Sequence, residues 1–219
     1  MQYTFLLFVQ YILQCSDSFV QSFSCLDDAK ELTLFHKGTQ TDRIFLDAVL
    51  RYRSSLSCSS SSPTTTNDGE LAAFVTYACA FPENCLCLID TYNTLESGLL
   101  NFIFVAKALL DFGYTPRGVR LDSGDLVALS NGCKAAFDKV VADELLESES
   151  SASGSEEQHK TRAAAFSNLT IIASNDINEA TLERFSNTKH SLTAFGIGTN
   201  LVTCQAQPAL GCVYKLGEL

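Results

Sequence analysis

Four short apolar runs, each closed by a polar or glycine-rich signature and each separated from the next by a helix-period segment, constrain this chain more than any other feature. They are Cys85–Asp90 ending in Asp90-Thr91, Gly118–Leu121 ending in Asp122-Ser123-Gly124-Asp125, Leu169–Ala173 ending in Ser174-Asn175-Asp176, and Leu192–Ile197 running into Gly196-Ile197-Gly198-Thr199. Continuous apolar strands need cover on both faces, so they belong to a parallel sheet rather than an antiparallel one. The segments between them read as helices over Ser97–Phe112, Leu126–Leu146 and Asn178–Phe185. The first has a broad apolar face of Leu99, Phe102, Phe104, Val105, Leu109 and Leu110, and Gly113 closes it. The resulting βαβαβαβ series predicts an α/β fold, either an open doubly wound sheet or a β/α barrel.

Two polar stretches punctuate the series. Residues 54–69 are rich in Ser and Thr, and residues 147–161 in Ser and Glu. Neither can bury apolar area, so both are expected as disordered surface loops. The first residues, Met1–Cys15, are apolar but lack the basic start of a signal peptide and are short for a membrane span. A core strand or a misassigned start is the expectation there.

Composition excludes some functions. The formal net charge is −10 with no Lys/Arg cluster, which argues against nucleic acid, and no segment predicts a membrane span. Nine cysteines, an odd number, fall partly inside apolar runs and show no zinc spacing. Reduced thiols in a cytoplasmic protein are the plain expectation. The three histidines, His36, His159 and His190, fit no motif and are expected as ordinary surface or capping residues.

Parallel α/β folds place chemistry at the carboxyl ends of their strands, where the four signatures lie. Asp125 and Ser174 also suit helix capping. Gly196, Ile197, Gly198 and Thr199 form a turn whose backbone can approach an anion, with a hydroxyl donor in Thr199. Asp90, Asp122 and Asp125 come from adjacent strand ends and suit a sugar phosphate, Mg2+, or both, with Asp122 and Asp125 as candidate metal ligands. Arg120 shares a strand face with Asp122 and suits an anionic group. The residues alone thus reach an enzyme acting on a phosphorylated sugar; phosphoribosyltransferases, aldolases and epimerases all remain open.

Three segments carry a resemblance: DTYNTLESGLLNF from Asp90, GVRLDSGDL from Gly118, and FGIGTNLVTCQAQPALGCVYKL from Phe195 to Leu216. With SNDINEATL at Ser174 and AAFVTYACAFP at Ala72, they resemble the core of the nicotinate phosphoribosyltransferase family. The likeness covers most of residues 16–216, apart from the polar loops, and implies a partial irregular β/α barrel of the type II phosphoribosyltransferase kind over residues 16–219. It implies transfer from 5-phosphoribosyl 1-diphosphate to nicotinate, giving nicotinate mononucleotide for NAD synthesis, with ATP as co-substrate, Mg2+, and a homodimer with a shared site. By position it assigns Asp90 and Arg120 to catalysis. It assigns Asp122, Ser123, Gly124, Asp125, Asn175 and Gly196 to Thr199 to substrate binding, together with Ser18 and Phe19. Asp17 stands where the family carries a histidine that ATP phosphorylates. The alternative expectation is a truncated, non-catalytic fragment or paralogue that pairs with a full-length subunit.

Overall fold

The computed structural model describes residues 23–59, 66–150 and 156–203. Asp17, Ser18, Phe19 and Met1–Cys15 therefore lie outside the described residues, as does the tail of the Phe195–Leu216 motif.

An antiparallel hairpin of β1 (Thr33–His36) and β2 (Thr41–Ile44), which the sequence pattern did not announce, comes first and stands apart from the main sheet. It is followed by two helices, α1 (Phe45–Ser59) and α2 (Asp68–Ala80). The four apolar runs then form the expected parallel sheet, as β3 (Leu86–Leu88), β4 (Gly118–Leu121), β5 (Thr170–Ala173) and β6 (Ala194–Phe195). They pair in sequential order, with no reversal. Leu88 lies opposite Arg120, Arg120 opposite Ile172, and Ile172 opposite Ala194. Gly118 opens β4 at φ +144°, and a Cβ there would stand 2.0 Å from the Thr170 carbonyl oxygen. Only glycine lets these strands approach so closely.

Between the strands run α3 (Leu99–Asp111), preceded by a π-helical turn at Thr94–Gly98, then α4 (Leu126–Ser150), α5 (Glu156–Ser167) and α6 (Glu179–Ser186), with a short α7 (Thr199–Val202) after β6. Helix α3 is apolar nearly all round, burying Phe102, Val105, Ala106 and Leu109. Such a helix has to be covered on several sides, and α1 and α2 pack on it. Gly113, at φ +87°, ends it as expected. Among the described residues, no helix is long and apolar enough to cross a membrane.

The loop expectation is corrected where the chain is described. Residues 54–59 continue α1, residues 147–150 continue α4, and residues 156–161 open α5. At the second stretch the physical reason is a set of charges, mostly flanking it, that pair inside the fold. Glu144, 2% exposed, meets Lys107 at 2.8 Å and His159 Nδ1 at 2.7 Å. Arg162 reaches Glu144 at 3.7 Å and Asp111 at 2.5 Å, and Tyr52 donates to Asp111 at 2.7 Å. These bonds tie the α4–α5 pair onto α3 and α1. His159 is thus a largely buried network member rather than the surface residue expected. His36 and His190 do act as local caps: Nδ1 of each accepts backbone N–H groups of its own turn.

Candidate functional site

The register places the site. Carried two residues beyond the pairs Leu88–Arg120, Arg120–Ile172 and Ile172–Ala194, it sets Asp90, Asp122, Ser174 and Gly196 in one row across the sheet. Past the last strand pairing, side chains have to satisfy backbone groups that the ladder no longer reaches, and they do so sideways. Asp90 Oδ2 accepts from the Asp122 backbone N–H at 2.8 Å and from the Ser123 hydroxyl at 2.6 Å. Arg120, its side chain 12% exposed, donates through Nη2 to Asp122 Oδ1 at 2.9 Å and through Nε to Ser174 Oγ at 2.7 Å. The Ser174 hydroxyl donates to the same Asp122 oxygen at 2.5 Å. Arg120, Ser174 and Asp122 therefore close a ring of three charge-assisted hydrogen bonds, which fixes each side chain. The Ser174 hydroxyl serves this ring rather than a helix cap.

The row opens onto a cavity of about 460 Å³ lined by Asp122, Ser174, Asn175, Asp176, Ile177, Asn178, Gly198, Thr199 and Asn200. The structure thus brings together the sequence candidates Asp122, Asn175, Gly198 and Thr199. Gly198 has an ordinary negative φ of −105°, and an added Cβ would meet nothing within 4 Å among the described residues. Packing among the described residues does not demand glycine there. Gly124 and Asp125 face an adjoining cavity of about 520 Å³ shared with Asn175, Thr181 and Arg184. Asp125 Oδ1 accepts from the N–H groups of Val127 and Ala128, both at 3.1 Å, and so caps α4. Gly124 stands at φ +75°, the left-handed turn that the Asp-Ser-Gly-Asp sequence needs.

Among the described residues, Asp122 and Asp125 each engage one carboxylate oxygen and leave the other as a hard donor of the kind Mg2+ takes. Among the described residues, a tighter three-ligand group is Glu144, Glu147 and His159, whose ligand atoms lie within 4.8 Å. Lys107 and Arg162 already neutralise it, so a cation has little to gain there.

Sequence reading missed the support behind Asp90. Glu70, wholly buried in the first turn of α2, receives Ser97 Oγ–H at 2.6 Å and Asn101 Nδ2–H at 3.0 Å on Oε2. Burial pushes its carboxyl up to about 7; the Ser97 and Asn101 bonds pull the other way, and the Asp90 charge adds to the rise. The one local signal was Asn67 three residues before Glu70, ahead of an apolar run.

The model of the nicotinate phosphoribosyltransferase (NAPRTase) family matches residues 69–219. The chain is 43% identical over 202 residues to a nicotinate phosphoribosyltransferase of Caenorhabditis elegans, covering 91% of this chain and 33% of that protein. It is 40% identical over 208 residues to nicotinate phosphoribosyltransferase 1 of Arabidopsis thaliana, covering 93% and 34%. The fold is similar to the crystal structure of human nicotinic acid phosphoribosyltransferase, with a TM-score of 0.67 at 28% identity, over 83% of this chain and 33% of that one. The chain spans about a third of the length of the curated relatives it matches.

Proposed function

The chain belongs to the nicotinate phosphoribosyltransferase family, and on that premise we propose that it forms the phosphoribosyl-binding part of an enzyme joining nicotinate to 5-phosphoribosyl 1-diphosphate. The products are nicotinate mononucleotide, a precursor of NAD, and diphosphate. The observation that carries the reading is the hydrogen-bonded row Asp90, Asp122, Ser174 with Arg120, opening beside Gly198 and Thr199.

In the transfer, the bond from the sugar C1 to diphosphate breaks and the bond from C1 to the pyridine nitrogen forms. Positive charge develops at C1 between the two events. Fixed carboxylates near that carbon favour it without reorganising, and the ring around Arg120 holds Asp122 in one orientation. The turn at Gly198 and Thr199 offers N–H and hydroxyl donors to the sugar phosphate. Asp122 and Asp125, through their free oxygens, would hold Mg2+, which when bound screens the diphosphate charge. Arg120, already committed to Asp122 and Ser174, acts on substrate chiefly by keeping Asp122 in place.

The sequential strand order supports an arc of a β/α barrel, because doubly wound sheets reverse their order at the switch point. A homodimer and a cytoplasmic location belong to the same proposal and rest on the family resemblance, which also implies ATP coupling through a phosphorylated histidine. Asp17 at the phosphohistidine position predicts transfer without ATP stimulation. The test is nicotinate mononucleotide formation by the full-length protein, with and without ATP, beside Asp122→Asn. Product lost in the variant is the expected result. No product from folded wild-type protein overturns the reading in favour of a non-catalytic partner.

A further inference from the structure

Glu70 sits at the third position of α2, where a glutamate ordinarily reaches back to the N–H of the capping residue. Here Asn67 is that residue, and its side chain does accept from Glu70 N–H at 2.8 Å. The return bond is replaced by a longer path. Asn67 N–H donates to Ser97 Oγ at 2.9 Å, and Ser97 in turn donates to Glu70 Oε2 at 2.6 Å. A serine of the π-turn before α3 is thus inserted into the start of α2. Asn101 fastens the junction again, donating from Nδ2 to both the Asn67 carbonyl and Glu70 Oε2, at 3.0 Å each.

The same turn presses on the strand that carries Asp90. A Cβ on Gly98 would stand 2.0 Å from the Ile89 carbonyl oxygen and 2.9 Å from Ile89 Cα. Ile89 precedes Asp90, whose carboxylate in turn holds Asp122 and Ser123. One continuous set of contacts therefore runs from Glu70 through Ser97 and Gly98 to Ile89, and from Asp90 to the β4 end.

We propose that Glu70 is a positioning residue for phosphoribosyl transfer, holding the Asp90 strand end in register with Asp122 through Ser97 and the π-turn. The inference deepens the proposed function and rests on it. Glu70 Oε1 is buried and has no hydrogen-bond partner among the described residues, so a neutral carboxyl costs less there than a carboxylate. The upward-shifted ionisation fits a side chain that works in its neutral form, with Asp90 the charged group facing it and Asp68 on its own helix already paired with Arg53 of α1.

The test uses this chain with three variants and two readouts. The first readout is amide hydrogen exchange at Ser97, Gly98 and Asp122. The first two amides bond the Asn93 carbonyl at 3.0 Å and the third bonds Asp90. The second is calorimetric binding of 5-phosphoribosyl 1-diphosphate in the presence of Mg2+. Glu70→Ala should speed exchange at those three amides by about tenfold or more, as local opening gets easier, while the α4–α5 pair exchanges as before. It should weaken diphosphate binding by about tenfold, the equivalent of a lost hydrogen bond. Glu70→Gln should restore both, because its carbonyl accepts the same two bonds. Should Glu70→Ala fail to fold, Ser97→Ala breaks the same link without emptying the carboxyl site and carries the prediction alone. Unchanged exchange at Asp122 overturns the proposal. So does exchange that rises equally in α4 and α5, since that marks general destabilisation. Wild-type chain that shows no binding strikes at the proposed function instead, and the exchange arm then decides the role of Glu70.

Discussion

Replacing Glu70 by glutamine should make the protein more stable at pH 8 and leave it nearly unchanged at pH 4. The carboxyl rises from an ordinary 4.5 to about 7, mainly through burial. In the folded state it therefore holds its proton across a range in which the unfolded chain has released it. Stability falls with rising pH wherever the folded state binds more protons than the unfolded. The loss runs from about pH 4.5 to about pH 7 and is complete above. At about 1.4 kcal/mol for each pH unit of that rise, the cost at pH 8 is about 3 kcal/mol. The glutamine amide has no proton to lose and escapes this cost. The assay is urea unfolding followed by circular dichroism, for both proteins at both pH values. Glu144, lowered in the folded state by Lys107 and His159 against its burial, makes the fold acid-sensitive in both proteins alike, so the difference between them isolates Glu70. A gap between the two proteins that is the same at pH 4 and pH 8, or a glutamine variant weaker at pH 8, refutes the reasoning.

Glu144→Ala should cost about 3–5 kcal/mol, since it strips Lys107 of its carboxylate at a buried site and leaves His159 and Arg162 with only Glu147 and Asp111 among the described residues; the urea midpoint measures it. Gly198→Asp should keep the fold, because its Cβ meets nothing within 4 Å, yet weaken phosphoribosyl diphosphate binding by on the order of tenfold through charge repulsion. Native Cys79 and Cys133, both pushed up to about 12 by burial, should resist Ellman's reagent at pH 8, while denaturation without reductant should expose nearly all nine thiols; three or four disulfides would contradict this. Chelation of Mg2+ should abolish calorimetric binding of the diphosphate.

The parallel sheet was legible because its signal is local: an apolar run, a polar end and a helix-period segment, four times over. Gly118–Leu121 and the start of α4 at Leu126 fall where the pattern puts them. What failed was nonlocal. The end of α4 and the start of α5 read as a polar loop until Lys107 of α3 and Arg162 of α5 are seen neutralising Glu144. The β1–β2 hairpin escaped because all four residues of β2 are exposed, leaving no alternation to read. Glu70 looks like an ordinary capping glutamate, since Ser97 and Asn101, the residues that change its meaning, lie 27 and 31 positions away. At the site, the residue types were legible and their division of labour only in part: Asp125 caps a helix as its sequence position suggests, while Ser174, which looked like a cap too, completes the ring around Arg120.

Charge balance gives the strand-end row its chemical direction. The described residues around the two cavities include the carboxylates of Asp122, Asp125 and Asp176, with Asp90 beside them. Against these stand Arg120, spent on Asp122 and Ser174, and Arg184 at the far side of the adjoining cavity. A bare diphosphate entering such a place would meet net repulsion, whereas a developing cation on the sugar would be stabilised. On the proposed function, the same residues would therefore disfavour the ground-state anion and favour the transition state. Mg2+ held by Asp122 and Asp125 would, on the same proposal, offset the first effect and leave the second. On that proposal, carboxylates rather than the arginines usual for phosphate binding suit these strand ends, and the uncharged donors of Gly198 and Thr199 suit the sugar phosphate.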